Sequence, residues 1–174
     1  MKKALKIQLI GKNEKVKENI IKKILGWEFL NLEYEYCKPN QFEAKLVEIV
    51  NGKECKFKLY TAINQFHFNN ILLLGTPKRP DSSYIAFDLS NQESWDQIKA
   101  YIGNIPEIAK KVEDYPIVLA GNLSTGQDRK VDQQDIDNFV KKCGFYYFKI
   151  STDTGENIKE SFQFLYQKLI ELHP

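Results

Sequence analysis

Residues 5–26 read LKIQLIGKNEKVKENIIKKILG. Leu5 to Ile10 is an apolar run interrupted by Lys6 and Gln8, and it ends at Gly11. Such a run predicts a buried strand. Val16, Ile20, Ile21, Ile24 and Leu25 then recur at helical spacing, and Gly26 follows as a stop. The basic, then briefly apolar start of the chain therefore reads as a first strand and not as a signal peptide, because the apolar run is short and carries polar residues.

The same alternation continues outward from that unit. Leu46–Val50 and Lys56–Tyr60 flank Asn51-Gly52. This pair tolerates positive φ at both central positions and predicts a hairpin. Ser83–Phe87 is a short strand, and Trp95, Ile98, Ile102 and Ile105 form a helical stripe that Pro106 ends or kinks. Pro116–Ala120 is a buried strand running into Gly121. Ile136, Phe139, Val140 and Cys143 make one helix face between an Asp132 cap and a Gly144 stop. Phe145–Ile150 is the last strand. Its aromatic run Phe145-Tyr146-Tyr147-Phe148 suits a strand with two packed faces better than a nucleic-acid stacking platform. Ile158, Phe162, Leu165, Leu169 and Leu172 line a final helix, with Asn157 and Glu160 at capping-box spacing. The expected architecture is a three-layer α/β fold: a six-stranded, mostly parallel sheet with one antiparallel hairpin strand, and about five helices.

Composition narrows the class further. The chain has 174 residues and 43% hydrophobic content, enough for one domain over 1–174 with a real core. The net charge of +2 implies no polyelectrolyte partner and argues against nucleic acid. Residues 1–60 hold 13 Lys and 8 Glu, so the basic charge sits in the first third, most simply as a solvated set of lysine stems. Cys37, Cys55 and Cys143 are too widely spaced for a metal or redox motif and fit a reducing, cytoplasmic compartment. No stretch reaches the roughly 18 apolar residues of a membrane span. The C-terminal His173-Pro174 offers no cysteine for a prenyl anchor.

In an open α/β sheet, ligands gather at the carboxyl ends of the strands. The first such place is GKNEKVKE, Gly11–Glu18. The phosphate-binding loop G-x-x-x-x-G-K-[ST] wraps a phosphate in backbone N–H groups, neutralises it with Lys and holds Mg²⁺ with a hydroxyl. Gly11 and Lys17 stand at that spacing, while Val16 replaces the second glycine and Glu18 the hydroxyl. Half a motif has little specificity by itself, since a glycine after a strand and a lysine on a helix are common.

Four further segments in order raise it. VNGKECKFKLYTAINQ (50–65) resembles the hairpin leading to the W-D-T-A-G-Q segment of small GTPases. YIAFDLSNQESW (84–95) resembles their next strand and helix start, and PIVLAGN (116–122) the strand entering the guanine motif N-K-x-D. KISTDTGENIKESF (149–162) resembles the S-A-K-T-G-E-N segment and final helix. With KIQLIG at 6–11 as the first strand, the chain resembles the Ras/Rab small GTPases over nearly its whole length.

That resemblance implies a guanine-nucleotide site, and the departures fall on its chemistry. Thr61 and Asn64 stand where D-x-x-G has its Asp and Gly, although Gln65 matches the water-orienting Gln. The first sixty residues contain no Ser, Thr or Asp, so the loop hydroxyl and the first switch's threonine are both missing. Mg²⁺ would lack its usual oxygen ligands. A Glu18 carboxylate about 4 Å from phosphate would cost about 4 kcal/mol at an effective dielectric near 20. The competing reading makes Glu18 a first-turn glutamate favoured by the helix dipole, paired with Lys17. Asn122 matches the base-reading Asn, but Leu123 and Thr125 replace the Lys and Asp, and of S-A-K only Ser151 remains. A hydroxyl cannot make the bidentate bond that a carboxylate makes to guanine.

The expectation is a non-hydrolysing, pseudo-GTPase-like binding subunit. Gly11, Lys17, Asn122 and Ser151 are residual nucleotide contacts, Gln65 is a vestigial match, and there is no metal site. No cofactor is expected beyond weak GDP or GTP binding without Mg²⁺. Protein partners would dock on the hairpin and the Phe66–Tyr84 segment, where Ile71–Leu74 form an apolar run that reads equally as core or as docking surface. Cytoplasmic, cytoskeletal or ciliary assemblies would be the setting. The alternative is a guanine-nucleotide switch or static nucleotide binder of vesicle or ciliary trafficking with an atypical Mg²⁺ site. Asp128, Asp132, Asp135 and Asp137 lack the Gly and Glu of a Ca²⁺ loop and read as a polar loop and helix start, and His67 and His173 have no companions at ligand spacing.

Overall fold

In the computed structural model the described residues are 4–38, 41–50, 52–61, 80–102 and 115–173. Expectations placed on Asn51, Asn64, Gln65, His67, Ile71–Leu74, Ile105 and Pro106 lie outside them. The strands are β1 (Leu5–Ile10), β2 (Asn31–Lys38), β3 (Gln41–Val50), β4 (Lys53–Thr61), β5 (Ser82–Asp88), β6 (Ile117–Asn122) and β7 (Tyr146–Ile150). Among the described residues four helices accompany them: α1 (Glu14–Leu25), α2 (Gln92–Ile102), α3 (Gln133–Cys143) and α4 (Ile158–Leu172). The sheet runs β2-β3-β4-β1-β5-β6-β7, and β3 alone opposes its neighbours.

The sheet therefore has seven strands instead of the expected six. The extra one is β2, which pairs with β3 from Asn31↔Val47 to Lys38↔Gln41 through an irregularity between Tyr36 and Lys38. Its first half is mostly exposed: Leu32 packs against the core, while Glu33, Tyr34 and Glu35 face solvent. The Asn-Gly hairpin is present as β3–β4. Val50 pairs with Lys53, and Gly52 takes the positive φ of 75° that the turn demands.

Both faces of the parallel strands are buried, as crossover helices require. Ile7, Leu9, Tyr84, Ala86, Val118 and Ala120 face α1 and α4, where Ile20, Ile24, Phe162 and Leu165 meet them. Ile85, Phe87, Ile117 and Leu119 face α2 and α3, against Trp95, Ile98 and Ile136. On the first face Tyr84 stacks on Phe162 at 4.1 Å between ring centroids, and its hydroxyl shares a 2.8 Å hydrogen bond with that of Ser161. The aromatic run divides between the faces as expected: Phe145, just before β7, and Tyr147 join the α2/α3 side, and Phe148 the α1/α4 side.

Helix ends follow the local chemistry, with one correction. Asp132 Oδ1 accepts from the N–H groups of Gln134 and Asp135, and Gly144 closes α3 at φ 71°. Asn157 does not build the capping box expected with Glu160. Its φ is 57°, left-handed, and its side-chain amide instead donates to the Lys149 carbonyl at 2.9 Å.

Candidate functional site

The start of α1 is closed by its own residues. Asn13 is the N-cap, and its Oδ1 accepts from the Val16 N–H at 3.2 Å. Lys17 is 4% exposed, and its Nζ lies 2.8 Å from Glu14 Oε1. From the sequence, Glu18 is expected as the first-turn acid and as the partner of Lys17. The first-turn acid is Glu14, and Glu18 is exposed. The reason is helical geometry: residues one apart do not face each other, whereas residues three apart do. A phosphate at this turn would have to displace Asn13 from an N–H and Glu14 from the ammonium.

Gly11 is a packing position. A Cβ there would stand 3.0 Å from the Ala86 carbonyl oxygen and 3.2 Å from Lys17 Cγ. The missing side chain thus lets the stem of Lys17 fold against the end of β1. Thr61, at the Asp position of D-x-x-G, is 8% exposed, and its hydroxyl accepts from the Phe42 N–H at 3.0 Å. That contact joins the end of β4 to the start of β3.

The ends of β6 and β7 form the opposite side. Asn122 is 1% exposed, and its Oδ1 accepts from the Thr152 N–H at 2.9 Å. Its amide nitrogen donates to Ser124 Oγ over a longer 3.4 Å. The Leu123 N–H donates to the Ile150 carbonyl at 3.1 Å. Asp153 crosses the gap, its Oδ2 accepting from the Thr125 N–H at 2.7 Å. Ser151 is buried and its Oγ accepts from the Thr154 N–H at 3.4 Å, within its own turn.

Between these two sides lies a cleft of about 330 Å³ lined by Asn13, Lys15, Val16, Asn19, Asp88, Asn122, Ser124, Thr125, Gln127, Thr152 and Asp153. Of the four predicted contacts Asn122 lines it, while Gly11, Lys17 and Ser151 are not among its lining residues. Asn13 and Asp153 are the lining residues that sequence reasoning undervalued. Asn followed by Glu at the head of an amphipathic run is a helix-start signal, so Asn13 was findable. Nothing local marks Asp153, whose partner is 28 residues away.

The family model for Ras matches residues 6–171. The chain belongs to the Ras family. Among curated relatives it is 25% identical to Ras-related protein Rab-39A of Mus musculus over 94% of this chain and 76% of that protein. It is 24% identical to Ras-related protein Rab-26 of Bos taurus over 98% of this chain and 65% of that protein. To Ras-related protein Rab-7b of Homo sapiens it is 29% identical over 55% of this chain and 52% of that protein. Ras-family proteins generally bind GDP or GTP with Mg²⁺ and are normally GTPases, and the cleft lies where the fold puts ligands, at the carboxyl ends of β1, β5, β6 and β7. On the cleft's α1 side the Val16 N–H and the Lys17 ammonium have partners within the chain, Asn13 and Glu14. No described helix is long and apolar enough to cross a membrane.

Two other predicted positions find structural work. Asp132 caps α3, and Asp135 Oδ2 accepts from both Trp95 Nε1 at 2.7 Å and Lys99 Nζ at 2.9 Å, clasping α2 to α3. Those bonds, first from Lys99 and then from Trp95, hold the Asp135 carboxyl below the usual carboxylate range.

Proposed function

We propose that this Ras-family chain is a non-hydrolysing, pseudo-GTPase-like subunit that binds protein partners within a larger intracellular assembly. The observation that carries this reading is the self-satisfied first turn of α1, with Asn13 on the Val16 N–H and Glu14 on Lys17. Phosphoryl transfer is positioning plus electrostatic stabilisation of phosphate by metal and cation. A lysine committed to a neighbouring glutamate, and a Thr61 hydroxyl committed to a strand N–H, withdraw groups from that work. GDP or GTP then binds weakly, without Mg²⁺. A single-turnover assay with and without Mg²⁺ tests the reading. No metal-dependent GTP hydrolysis is expected, and a rate comparable to ordinary family members would overturn it.

The partner surface in this reading is the β2–β3–β4 hairpin system together with the Phe66–Tyr84 segment. Within the described part of that segment Ser82–Tyr84 are the buried start of β5, so any docking falls on its earlier residues and on the hairpin. β2 is a sheet edge carrying Glu33 and Glu35, and Tyr34 beside them is 54% exposed. An edge strand with charged residues resists uncontrolled pairing yet leaves a surface for a chosen partner. Charge reversal at Glu33 and Glu35 tests this: loss of assembly with an unchanged melting curve supports the hairpin surface. Intact assembly removes it.

A further inference from the structure

We propose that the face of β3 and β4 turned away from α1 and α4 docks an acidic, amphipathic protein segment, which lays an apolar anchor on Val47 and Ile49 and carboxylates on Lys45, Lys56 and Lys58. This rests on the reading of the hairpin as the partner surface, and it names the chemistry of the partner.

Strand alternation decides what that face carries. Phe42, Ala44, Leu46 and Val50 of β3 and Phe57 and Leu59 of β4 enter the core beside α1 and α4. Glu43, Lys45, Val47 and Ile49, with Lys56 and Lys58, therefore stand on the opposite face. Among the described residues, neither core cluster takes a residue of β3 or β4 from that face. Ile49 is 51% exposed, and Lys45 and Lys56 are exposed beside it.

The register then sets lysine against lysine. Lys45 stands directly opposite Lys58, and Lys58 opposite Lys6 on β1. Neighbouring strands lie about 4.8 Å apart, so three lysines spring from one short row. Like charges directly opposite each other destabilise a sheet, and carboxylates from outside relieve that repulsion. Lys58 has some relief within the chain, its Nζ lying 2.8 Å from Glu43 Oε1. Lys6, Lys45 and Lys56 make no ion pair among the described residues. This row gathers part of the lysine excess of the first sixty residues on one face.

Apolar surface lies within reach of the same charges, since Val47 stands directly opposite Lys56. An apolar anchor supplies affinity, and the charges around it steer and select. Along β3, Lys45, Val47 and Ile49 recur about every 6.8 Å, close to the rise of about 6 Å over four residues of a helix. A helix lying along β3 thus offers each of them a residue in turn. The acidic stretch of the partner also has a border. On β2, Glu33 stands opposite Lys45 and Glu35 opposite Glu43. Carboxylates are repelled there, so the stretch ends in a basic flank over β2, and the change of sign fixes which way the partner lies.

NMR titration of the full chain tests the proposal with synthetic helical peptides. Each carries leucine along one face, glutamate, glutamine or lysine along the other, and a lysine pair at one end. The glutamate peptide should shift the amides of β3 and β4 and bind tighter than the glutamine peptide by about tenfold or more. Ionic strength of about 1 M, where the screening length is about 3 Å, should bring the two close together. Lys45→Glu combined with Lys56→Glu should abolish binding of the glutamate peptide and confer binding of the lysine peptide. Ile49→Ser should weaken the glutamate peptide without that reversal. These side chains are exposed, and melting curves confirm that each variant folds. Equal binding of the glutamate and glutamine peptides, or shifts away from β3 and β4, overturns the proposal. Phosphatidylserine vesicles that displace the glutamate peptide, and that the double variant no longer binds, overturn it in favour of a lipid surface. If the glutamate peptide fails to bind while reversal at Glu33 and Glu35 still breaks assembly, this inference falls alone and the hairpin reading stands. Assembly that survives that reversal removes both.

Discussion

The two sides of the cleft are built by different kinds of contact. At the start of α1 every bond described is local: Asn13 reaches Val16 and Glu14 reaches Lys17, three residues along one helical turn. At the ends of β6 and β7 the shorter bonds join distant chain, Asn122 to Thr152 at 2.9 Å and Thr125 to Asp153 at 2.7 Å, separated by 30 and 28 residues. The first side is a property of a short sequence and forms whenever the helix does. The second exists only when β6 and β7 lie side by side. A helix start can therefore change its chemistry by a few substitutions without disturbing the sheet, whereas the far side cannot lose its buried asparagine without loosening two loops.

The sharpest way to break this contrast is Asn122→Ala. The Thr152 N–H, on a residue 4% exposed, would lose its acceptor. A buried donor left unsatisfied costs about 1–3 kcal/mol, so the urea midpoint should drop and the Thr152 amide should exchange faster. An unchanged midpoint would mean that the long-range clasp contributes nothing. Next in size is Asn13→Ala. Removing an N-cap costs about 1 kcal/mol, and here the loss should stay in the first turn of α1, leaving exchange at Thr125 and Thr152 as it was. A spread of faster exchange to those amides would show that the two sides are coupled.

The smallest effect belongs to a third place that is neither side, the Trp95–Asp135–Lys99 clasp. Asp135 has a lowered folded pKa, so its contribution is fully present above the ordinary carboxylate value and fades as pH falls through the folded one. Its side chain is 46% exposed, which screens the pair and limits the effect to a few tenths of a kcal/mol. Asp135→Asn should accordingly flatten the acid limb of the stability curve below about pH 4 while leaving the alkaline limb untouched. Parallel acid limbs for both proteins would show that Asp135 does not drive it.

Periodicity made most of the sheet and the helices legible. Val16, Ile20, Ile21 and Ile24 are buried along one stripe, and Gly52 and Gly144 take the positive φ their turns require. What escaped was β2. Leu32, Tyr34 and Tyr36 alternate with Glu33 and Glu35 and Pro39-Asn40 follow, yet alternation over so short a span competes poorly with the Asn-Gly signal further on. The site was less legible than the fold. A glycine-to-lysine spacing says which residues are adjacent in the motif but not that Lys17 turns away to Glu14, because that choice depends on which carboxylate lies three residues back. Asn157 misled for a related reason: its residue type suits a cap, but its left-handed backbone points the side chain at Lys149.

The place of β1 in the sheet sets the timing of the molecule's assembly. The meander β2-β3-β4 pairs only neighbours in sequence, whereas β1 lies between β4 and β5 and joins Leu5 to Phe57 on one side and Ile7 to Ser82 on the other. On a ribosome moving at about 5–20 residues per second, β1 waits roughly 4–16 seconds for Asp88, the last residue of β5, to be added. Hairpins form in microseconds, so the meander is complete long before then. Through that interval Ile7 and Leu9, fully buried in the finished protein, have no finished sheet to enter. Of the seven strands, β1 is thus the one that a nascent-chain chaperone would shield longest before its second neighbour exists.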